Sequence, residues 1–417
     1  MQAAGKRRNL RGMHRSQRSA MLPAMRWFTF LSLLLSAPCM AAAPATVAVA
    51  FDRQTIRPVL AEGLADRTSG RAVTADDPVR IASISKLVAT LGVLRLVDQG
   101  KLSLDRDVSD YLGWRLRNPA FPDQPITLRL LLSHQASLRD GGELYIIPLD
   151  VTLRERLADP AMWDAQRGPR EGWFAYSNIN FPVAASVIER VTGERFDVAM
   201  SRLVLKPLKL DACFNWGAGC SADAFRRAAV LYRASGAVAR DDLKGQPPLC
   251  PVVAVKDGSC DLTRYQPGQN GALFGPQGGL RISMTDLARI GQMLAAGGKG
   301  FLSARAYREL TRAQWQAGPG RGGIGEYGEN NGFFCAYGLG LQRIGSGAAG
   351  CKDDLFGDGT TRMGHSGEAY GLRSGLWFDP KTGRGIAFFT SAVPDDTPTG
   401  RSAFTALEES VVERATR

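Results

Sequence analysis

The sequence predicts an α+β fold in which one mostly antiparallel sheet is built from both ends of the chain and flanked by helices. Residues 46–51 form an apolar strand pattern, and residues 371–378 and 385–391 form two more near the C-terminus. The chain between these ends is rich in helical patterns and loops. We therefore expect a helical insertion that packs beside the sheet.

The individual elements follow from residue spacing and stop signals. A second apolar stretch, residues 56–64, follows the first strand. Residues 84–98 place apolar side chains at helical spacing, and Gly100 is a stop signal, so we expect a buried helix here. A short strand is expected within residues 333–341. Further helices are predicted at residues 127–132, 181–192, 196–204, 284–296 and about 402–414.

Residues 1–45 have the pattern of a secretory signal peptide. A basic region ends at Arg26, an apolar core covers residues 27–37, and small residues follow up to Ala45. Because this core is short for a bilayer span, we expect a cleaved signal rather than the alternative, an uncleaved membrane anchor. The prediction is one mature domain over residues 46–417 in a periplasmic or secreted protein.

The charge pattern argues against nucleic-acid binding. The formal net charge is +12, but residues 1–26 hold seven basic residues and no acidic one. The remaining chain carries 45 basic and 40 acidic residues, which are interspersed. We therefore predict no nucleic-acid partner, and no membrane contact beyond the anchor considered above. The oligomeric state is left open.

Six cysteines remain once Cys39 leaves with the signal, and an even set in an exported chain favours disulfide bonds. Nearest neighbours in sequence are the expected pairs, although other connectivities are open. A zinc site is the alternative, but the mature chain has two histidines and no C-x-x-C motif, so we predict no metal. The six are Cys213, Cys220, Cys250, Cys260, Cys335 and Cys351.

The first chemical motif is S-x-x-K at residues 83–86. If Ser83 begins a helix, Lys86 lies one turn later on the same face. A buried amine can accept the proton of a nucleophilic hydroxyl, and the backbone N–H groups of the helix N-terminus can stabilise an oxyanion. The alternative is a serine that caps the helix and a lysine that points to solvent.

The second motif is Tyr176-Ser177-Asn178. Residues two apart in an extended loop point the same way, so Tyr176 and Asn178 can enter one cleft. A phenol close to an ammonium group suits general-base work, and the Asn178 amide can hold Lys86 and a substrate carbonyl. The alternative is a buried tyrosine and a turn asparagine.

The third motif is His365-Ser366-Gly367, followed by Glu368. Gly367 would allow a substrate backbone to approach closely, and the Glu368 N–H could join that of Ser83 in an oxyanion hole. His365 could bind substrate or the Tyr176 hydroxyl. The alternative is a hairpin turn with an incidental histidine.

In this order the three motifs resemble those of the serine β-lactamase and penicillin-recognising hydrolase family. The similarity is closest to class C β-lactamases, family VIII esterases and D-stereospecific peptidases, which use S-x-x-K, Y-x-N and H-x-G or K-T-G. It covers about residues 46–395. The matching segments are residues 80–86, 127–134, 278–280, 286–288 and 364–391.

The resemblance implies a β-lactamase/transpeptidase-like fold, with a helical subdomain inserted at about residues 105–275 and the site between that subdomain and the sheet. It implies that Ser83 is acylated while Lys86 and Tyr176 handle protons, with no cofactor. The residues assigned to substrate binding and the oxyanion hole are Asn178, His365, Ser366, Gly367 and Glu368.

Two other segments receive structural interpretations. Residues 381–383 spell K-T-G literally, but they follow Asp379-Pro380 between two strands, which is typical of a solvent-exposed turn. We therefore assign the family position to residues 365–367. His134, at the end of the predicted helix 127–132, is interpreted as a capping residue rather than a proton carrier.

The sequence thus predicts an exported serine hydrolase that forms an acyl-Ser83 intermediate with a small ester, amide or peptide, with peptidoglycan-related substrates as candidates. A β-lactamase or DD-peptidase is the first alternative, and a non-catalytic binding or sensor module is the second. Histidine is mostly neutral at its reference pKa of about 6.5. His365 therefore offers a substrate carboxylate no fixed charge, which favours esters and peptides over β-lactams.

Overall fold

The computed structural model describes residues 45–170, 172–325 and 328–417. The predicted signal segment, residues 1–45, lies outside the described residues except for Ala45. In the described ranges, no helix is long and apolar enough to cross a lipid bilayer.

The strands are mostly short, and the longest ones lie at the two ends of the described chain. In chain order they are β1 (Thr46–Phe51), β2 (Ile56–Glu62), β3 (Leu64–Asp66), β4 (Arg71–Ala72), β5 (Val79–Arg80), β6 (Phe174–Ala175), β7 (Cys213–Phe214), β8 (Leu231–Tyr232), β9 (Val238–Arg240), β10 (Leu280–Ile282), β11 (Trp315–Gln316), β12 (Gly323–Gly325), β13 (Gly328–Glu329), β14 (Ala336–Tyr337), β15 (Gln342–Ile344), β16 (Arg362–Ala369), β17 (Leu372–Phe378) and β18 (Gly385–Thr390).

The helices lie mainly between these two ends. They are α1 (Ile84–Asp98), α2 (Ser109–Leu112), α3 (Leu128–Leu132), α4 (Leu153–Arg156), α5 (Asn180–Thr192), α6 (Phe196–Met200), α7 (Ala222–Arg227), α8 (Met284–Ala295), α9 (Ala304–Thr311) and α10 (Ala406–Thr416). Short 3₁₀ turns occur at Pro160–Met162 and Leu262–Arg264, and a π-helical turn at Ser201–Leu205 continues α6.

The main sheet has the strand order β11-β14-β15-β16-β17-β18-β1-β2, and every neighbouring pair is antiparallel. The first and last strands of the sequence lie side by side, with Thr46 opposite Thr390. The predicted α+β class, with one antiparallel sheet built from both chain ends, is therefore confirmed.

Both faces of the main sheet are covered, which explains why its central strands are apolar throughout. Val47 and Val49 of β1 face a core that includes α1 and α8, whereas Ala48 faces a second cluster with Val411 and Val412 of α10. Side chains alternate between the faces of a strand, so one strand serves both cores. Each fully buried Val or Leu contributes about 1.5–3 kcal/mol.

Helix α1 begins and ends where its sequence predicts, and almost all of it is buried. Gly100, with φ of 70°, follows the helix in the left-handed region that suits glycine. Gly92 lets α6 approach closely, because a Cβ there would lie 2.5 Å from Met200 Sδ. The apolar surroundings hold the helix rigidly, and with it the serine at its N-terminal end.

Two local predictions and one alternative interpretation differ from the structure. The expected strand within residues 333–341 is reduced to β14, Ala336–Tyr337. The last helix begins at Ala406 rather than near 402, because Thr405 and Glu408 form a capping box there. The His365 motif lies inside β16 and not in a hairpin turn, because it pairs with β17 along its whole length.

Three disulfide bonds join the cysteines that are nearest in sequence: Cys213–Cys220, Cys250–Cys260 and Cys335–Cys351. The predicted disulfide bonds are thus confirmed. The boundaries of the expected helical insertion, residues 105–275, stay a prediction, although α2 to α7 do fall between them and that stretch adds no strand to the main sheet.

Candidate active site

Ser83 lies at the N-terminal end of α1, directly after Ala82, whose φ is 47°. A non-glycine residue in this region stores backbone strain, which often marks a functional site. Ile81 N–H donates to the Leu280 carbonyl at 3.1 Å, and Ser85 Oγ donates to the Ala82 carbonyl at 2.6 Å. These bonds hold the strained turn and fix the position of Ser83.

Lys86 is fully buried and lies one helical turn beyond Ser83. Its Nζ donates to Ser83 Oγ at 2.8 Å, to Asn178 Oδ1 at 2.8 Å and to the Gln277 carbonyl at 2.9 Å. Burying an amine without hydrogen-bond partners would cost free energy, so these three contacts stabilise Lys86 in its buried position. The alternative of an outward lysine beside a capping serine is wrong.

The Tyr176 ring approaches the same amine, and its centroid is 4.9 Å from Lys86 Nζ. The ring is buried and stacks on His134, with centroids 4.4 Å apart, and on Phe334 at 4.8 Å. Its backbone N–H donates to the Ile324 carbonyl at 3.1 Å. The structure thus brings Ser83, Lys86, Tyr176 and Asn178 together, as their motifs predict.

Asp140 organises the loop after Tyr176, and sequence reasoning missed it. One carboxylate oxygen accepts from Ser177 Oγ and from the Ile179 N–H, and the other accepts from both the backbone and the amide Nδ2 of Asn178, all at 3.0 Å. Since Nδ2 is held by Asp140, Oδ1 of Asn178 faces Lys86. No local spacing rule links residue 140 to residue 178.

His134 supports the same loop from the other side. Its Nδ1 accepts from the Ser177 N–H at 3.1 Å and contacts Asn180 Nδ2 at 3.1 Å, and its φ is 57°. Burial and the nearby charge of Lys86 hold the pKa of His134 well below its ordinary value. His134 is therefore a neutral structural residue, but it braces the Tyr176 loop rather than capping a helix.

His365 lies on β16, is buried, and uses both ring nitrogens inside the protein. Nε2 contacts the Tyr337 hydroxyl at 2.7 Å, and Nδ1 contacts the Ser366 carbonyl at 2.5 Å. A carbonyl can only accept, so Nδ1 carries the proton and Nε2 accepts from Tyr337. Burial and the charge of Lys86 lower the pKa of His365 to about 3.

This arrangement corrects the expected partner of His365. We expected it to bond to substrate or to the Tyr176 hydroxyl, whereas the structure pairs it with Tyr337, a residue that sequence reasoning missed. Burial raises the pKa of Tyr337 well above its ordinary value, so its hydroxyl stays protonated and can donate. The imidazole is therefore a neutral, internally satisfied group.

Gly367 also has a packing role within the protein. A Cβ at this position would lie 2.3 Å from the Ile81 carbonyl oxygen and 2.4 Å from Ser374 Oγ. The glycine therefore lets β16 pack against the backbone that leads into Ser83, and its expected role in substrate approach stays a prediction.

These residues open on one large cleft of about 880 Å³, which we call the main cleft. Asn178, Lys86 and His365 lie behind its surface, and the carboxylate of Glu368 forms an ion pair with Arg373 at the rim. Of the predicted site residues, its lining includes Ser83, Tyr176, Ser366, Gly367 and Glu368.

The literal K-T-G lies away from this cleft, in the turn between β17 and β18. Asp379 accepts from the Lys381 N–H at 2.8 Å and from the Thr382 hydroxyl at 2.7 Å, and Gly383 has a φ of 78°. Lys381 itself is exposed. The segment is the turn that its sequence predicts.

Comparison with known proteins agrees with this arrangement. A family model described as Beta-lactamase matches residues 37–408. Esterase EstB of Burkholderia gladioli is 33% identical over 171 residues, which cover 37% of this chain and 42% of that protein. D-alanyl-D-alanine-carboxypeptidase/endopeptidase AmpH of Escherichia coli is 29% identical over 139 residues, which cover 32% of this chain and 35% of that protein. The aligned part is thus less than half of each relative.

Solved structures extend the likeness over most of the chain. D-amino acid amidase from Ochrobactrum anthropi has a TM-score of 0.61 at 20% identity, covering 90% of this chain and 93% of that one. A class C β-lactamase from Rhodobacter sphaeroides has a TM-score of 0.61 at 17% identity, with the same coverage of 90% and 93%. At such identities the likeness shows the fold, and it confirms the predicted β-lactamase/transpeptidase-like architecture.

Proposed function

Because the chain belongs to the β-lactamase family, we propose that it is an exported serine hydrolase that acylates Ser83 with an ester, amide or peptide substrate. The observation that carries the proposal is the 2.8 Å contact between Ser83 Oγ and the fully buried Lys86 Nζ, at the edge of the main cleft. A hydroxyl next to a buried amine is the arrangement that nucleophilic catalysis requires.

In the acylating form of the site, Lys86 has first lost one proton to solvent, so that Ser83 Oγ can bond to the substrate carbonyl carbon and pass its proton to the uncharged amine. The carbonyl oxygen becomes an oxyanion, which the backbone N–H groups of Ser83 and Glu368 stabilise. The Tyr176 hydroxyl protonates the departing alcohol or amine and regains a proton from Lys86. The leaving-group bond then breaks and the acyl-Ser83 ester remains.

In deacylation, a water oxygen bonds to the acyl carbon while the Lys86–Tyr176 pair accepts one of its protons. The same pair returns a proton to Ser83 Oγ as the acyl bond breaks, so the free enzyme and a carboxylic acid result. Asn178, His134 and Asp140 take no proton in this scheme. They hold the two acting side chains at their distances.

The substrate preference follows from the charge of the β16 side of the main cleft. His365 is neutral and satisfied by Tyr337, so it offers no fixed charge to a substrate carboxylate. Ester and peptide bonds need no such anchor, which is why we favour them over β-lactams.

A β-lactamase or DD-peptidase is the second candidate, and a specific observation favours it. Lys352, Arg373 and Arg401 line the main cleft and could bind a substrate carboxylate in place of a family lysine. Arg373 and Arg401 already pair with Glu368 and Glu409, which reduces the charge they can offer. Arg281 pairs instead with the buried Asp241.

The test of the catalytic proposal is labelling of the intact protein with a fluorophosphonate probe. We expect one modified residue, Ser83, by peptide mass spectrometry, and no labelling of Ser83→Ala. Ser103→Ala, which removes an exposed hydroxyl after α1, is the matched control and should label like the wild type. A folded wild-type protein that resists the probe and hydrolyses none of a panel of esters and D-amino-acid peptides would favour a non-catalytic binding module.

Export is proposed from the basic and apolar leader pattern together with the three disulfide bonds. The corresponding prediction is a mature protein without free thiols. Alkylation of the exported protein without reduction should add no mass, whereas reduction first should add six alkyl groups, one for each paired cysteine. Labelling of two or more cysteines before reduction would contradict the disulfide set.

A further inference from the structure

A second cavity, of about 350 Å³, is lined by Gln277, whose carbonyl accepts from Lys86, and we call this cavity the arginine pocket. Gln277 connects it to the catalytic residues, because its side chain lines the pocket while its carbonyl accepts from Lys86 Nζ at 2.9 Å. Next to it, a Cβ on Gly278 would lie 3.5 Å from an Arg80 guanidinium nitrogen and 3.8 Å from the Ala82 backbone. The pocket therefore begins beside the residue that precedes Ser83.

Three arginines and one tyrosine line the arginine pocket as its polar wall, and two carboxylates, Asp241 and Asp242, line it as well. The Arg80 and Arg240 guanidinium carbons lie 5.0 and 4.7 Å from the centroid of the Tyr370 ring, and Arg240 also donates to the Tyr370 hydroxyl at 3.1 Å. Tyr370 is held in the left-handed region, with φ of 56°. Arg281 completes the group from β10.

The positive charge of this wall is not balanced by the nearest carboxylates. Arg281 is paired with Asp241 at 2.9 Å, both about 95% buried, and Asp242 is paired with Lys244 at 2.8 Å. Among the residues that the structure describes, no carboxylate lies within 4.0 Å of the guanidinium of Arg80 or of Arg240. Within the same described ranges, the buried Arg80 Nε has no hydrogen-bond partner.

The pKa values of the wall agree with an excess of positive charge. Burial and the neighbouring Arg281 guanidinium lower the pKa of Arg80 to about 10. Burial alone would raise the pKa of Tyr370, but the charges of Arg80 and Arg240 outweigh it, so that the pKa of Tyr370 lies below its ordinary value. Both shifts would be relieved by an anion in the pocket.

The opposite wall and the rim of the arginine pocket are apolar and open to solvent. Ile146 and Val253 line it and are 37% and 41% exposed. Leu249 and Val238 are also exposed. In sequence, Leu249 is directly adjacent to residues that line the pocket, and Val238 lies two positions before one. Two of the five large apolar side chains that are exposed in the described chain, Ile146 and Val253, thus line the pocket and give it an apolar rim.

We propose that the arginine pocket binds a carboxylate borne on an apolar chain of the substrate, on the side of the scissile bond that faces Gln277. Arg80 and Arg240 pair with the carboxylate, and the rim around Ile146 and Val253 covers the apolar chain. The inference rests on the proposed hydrolase function and adds to it a substrate class, the monoesters or monoamides of apolar acids that carry a second acidic group.

The experiment compares acidic and neutral substrates of equal length. The acid is placed on the acyl side in mono(4-nitrophenyl) suberate and on the leaving-group side in 4-carboxyphenyl octanoate. The neutral counterparts are the methyl esters of the same carboxylates. For at least one pair we expect kcat/KM to be about tenfold higher for the acidic member, the scale of one charge-assisted hydrogen bond.

The preference should fall by most of that factor in Arg240→Gln, which changes an exposed position and should leave the fold intact. Arg106→Gln is the matched control, since it removes an exposed arginine far along the chain from the pocket and should keep the ratio of the wild type. A thermal melt of each variant accompanies the kinetics.

Two other outcomes have separate meanings. Hydrolysis of the neutral esters without an acidic preference in either pair, or with a preference that Arg240→Gln leaves unchanged, overturns the inference and leaves the proposed function standing. Hydrolysis of none of the four substrates, together with no fluorophosphonate labelling, overturns the proposed function, on which the inference depends.

Discussion

The two walls of the main cleft differ in how they use charge. On the α1 wall, the amine of Lys86 is fully buried and contacts Ser83, Asn178 and the Gln277 carbonyl. On the β16 wall, the ring of His365 is equally buried but neutral, and it is satisfied by Tyr337 and its own backbone. The two walls therefore differ in kind: one buries an ionisable amine against the Ser83 hydroxyl, whereas the other presents a neutral ring that is bonded within the protein.

The largest expected effect tests the α1 wall. Ser83→Ala should lower kcat by about 10⁴- to 10⁶-fold, because it removes the atom that forms the covalent intermediate. Steady-state turnover of a 4-nitrophenyl ester by the purified variant measures this, with circular dichroism to show that it is folded. Activity near that of the wild type would remove Ser83 from the mechanism.

The next effect tests what the neutral β16 wall means for substrate choice. A lost charge-assisted contact to a carboxylate is worth about 1.5–3 kcal/mol, or about 10- to 150-fold in kcat/KM. We therefore expect 4-nitrophenyl butyrate to be hydrolysed with a higher kcat/KM than nitrocefin at pH 7.5. If nitrocefin is preferred by more than about tenfold, the arginines of the main cleft replace the missing lysine and the comparison between the walls fails.

A smaller effect separates the β16 motif from the literal K-T-G. His365→Ala should lower kcat/KM at least about tenfold, because it leaves the buried Tyr337 hydroxyl unpaired and loosens the strand that carries Glu368. Lys381→Ala should change kcat/KM by less than about threefold, since Lys381 is exposed in a turn. The opposite ranking would assign the site to residues 381–383.

The smallest effect concerns stability rather than rate. The folded pKa of His365 is about 3, below its unfolded value of about 6.5, so the unfolded chain binds more protons between these values. The contribution of the neutral His365 to the stability of the folded protein is therefore complete above about pH 6.5, and it is lost as the pH falls. Urea unfolding of the wild type and of His365→Gln, measured from pH 7 to pH 5, compares their free energies of unfolding. This free energy should fall more steeply with falling pH in the wild type, by up to about 1.4 kcal/mol per pH unit.

Glu189, whose pKa burial raises, is present in both proteins and cancels in that comparison. The pKa of His134 is lowered in part by His365 itself, so any change in its titration belongs to the same substitution. Equal slopes would mean that His365 keeps its ordinary pKa in the folded protein. A positive charge would then be available on the β16 wall at mildly acidic pH, and the two walls would be more alike than the structure indicates.

Features that depend on local spacing were predictable. Residues 83 and 86 share a face because they are three apart on a helix, and the strands at Thr46–Phe51 and Gly385–Thr390 are visible as short apolar runs. Disulfide bonds between cysteines that are close in sequence were expected for a similar reason, because their separations are short. The roles of the individual site residues stay predictions until the variants above are measured.

The contacts that orient the site were not predictable in this way. Asp140 reaches Asn178 across 38 residues, Tyr337 reaches His365 across 28, and Gln277 reaches Lys86 across 191. Pairing with β17 along the whole of β16 also rules out the alternative of a hairpin turn at the His365 motif, and the local sequence alone left that alternative open.

By itself, the sequence determined the fold class and the helix that carries Ser83 and Lys86, because apolar periodicity acts within one element. It favoured disulfide bonds between near neighbours but left their connectivity open. Only the tertiary structure decided which neutral partner His365 takes, how Asp140 aims Asn178, and that Arg80, Arg240 and Tyr370 meet in one pocket. The physical reason is that these contacts join distant segments, and their geometry exists only after the chain has paid the entropy of closing the loops between them.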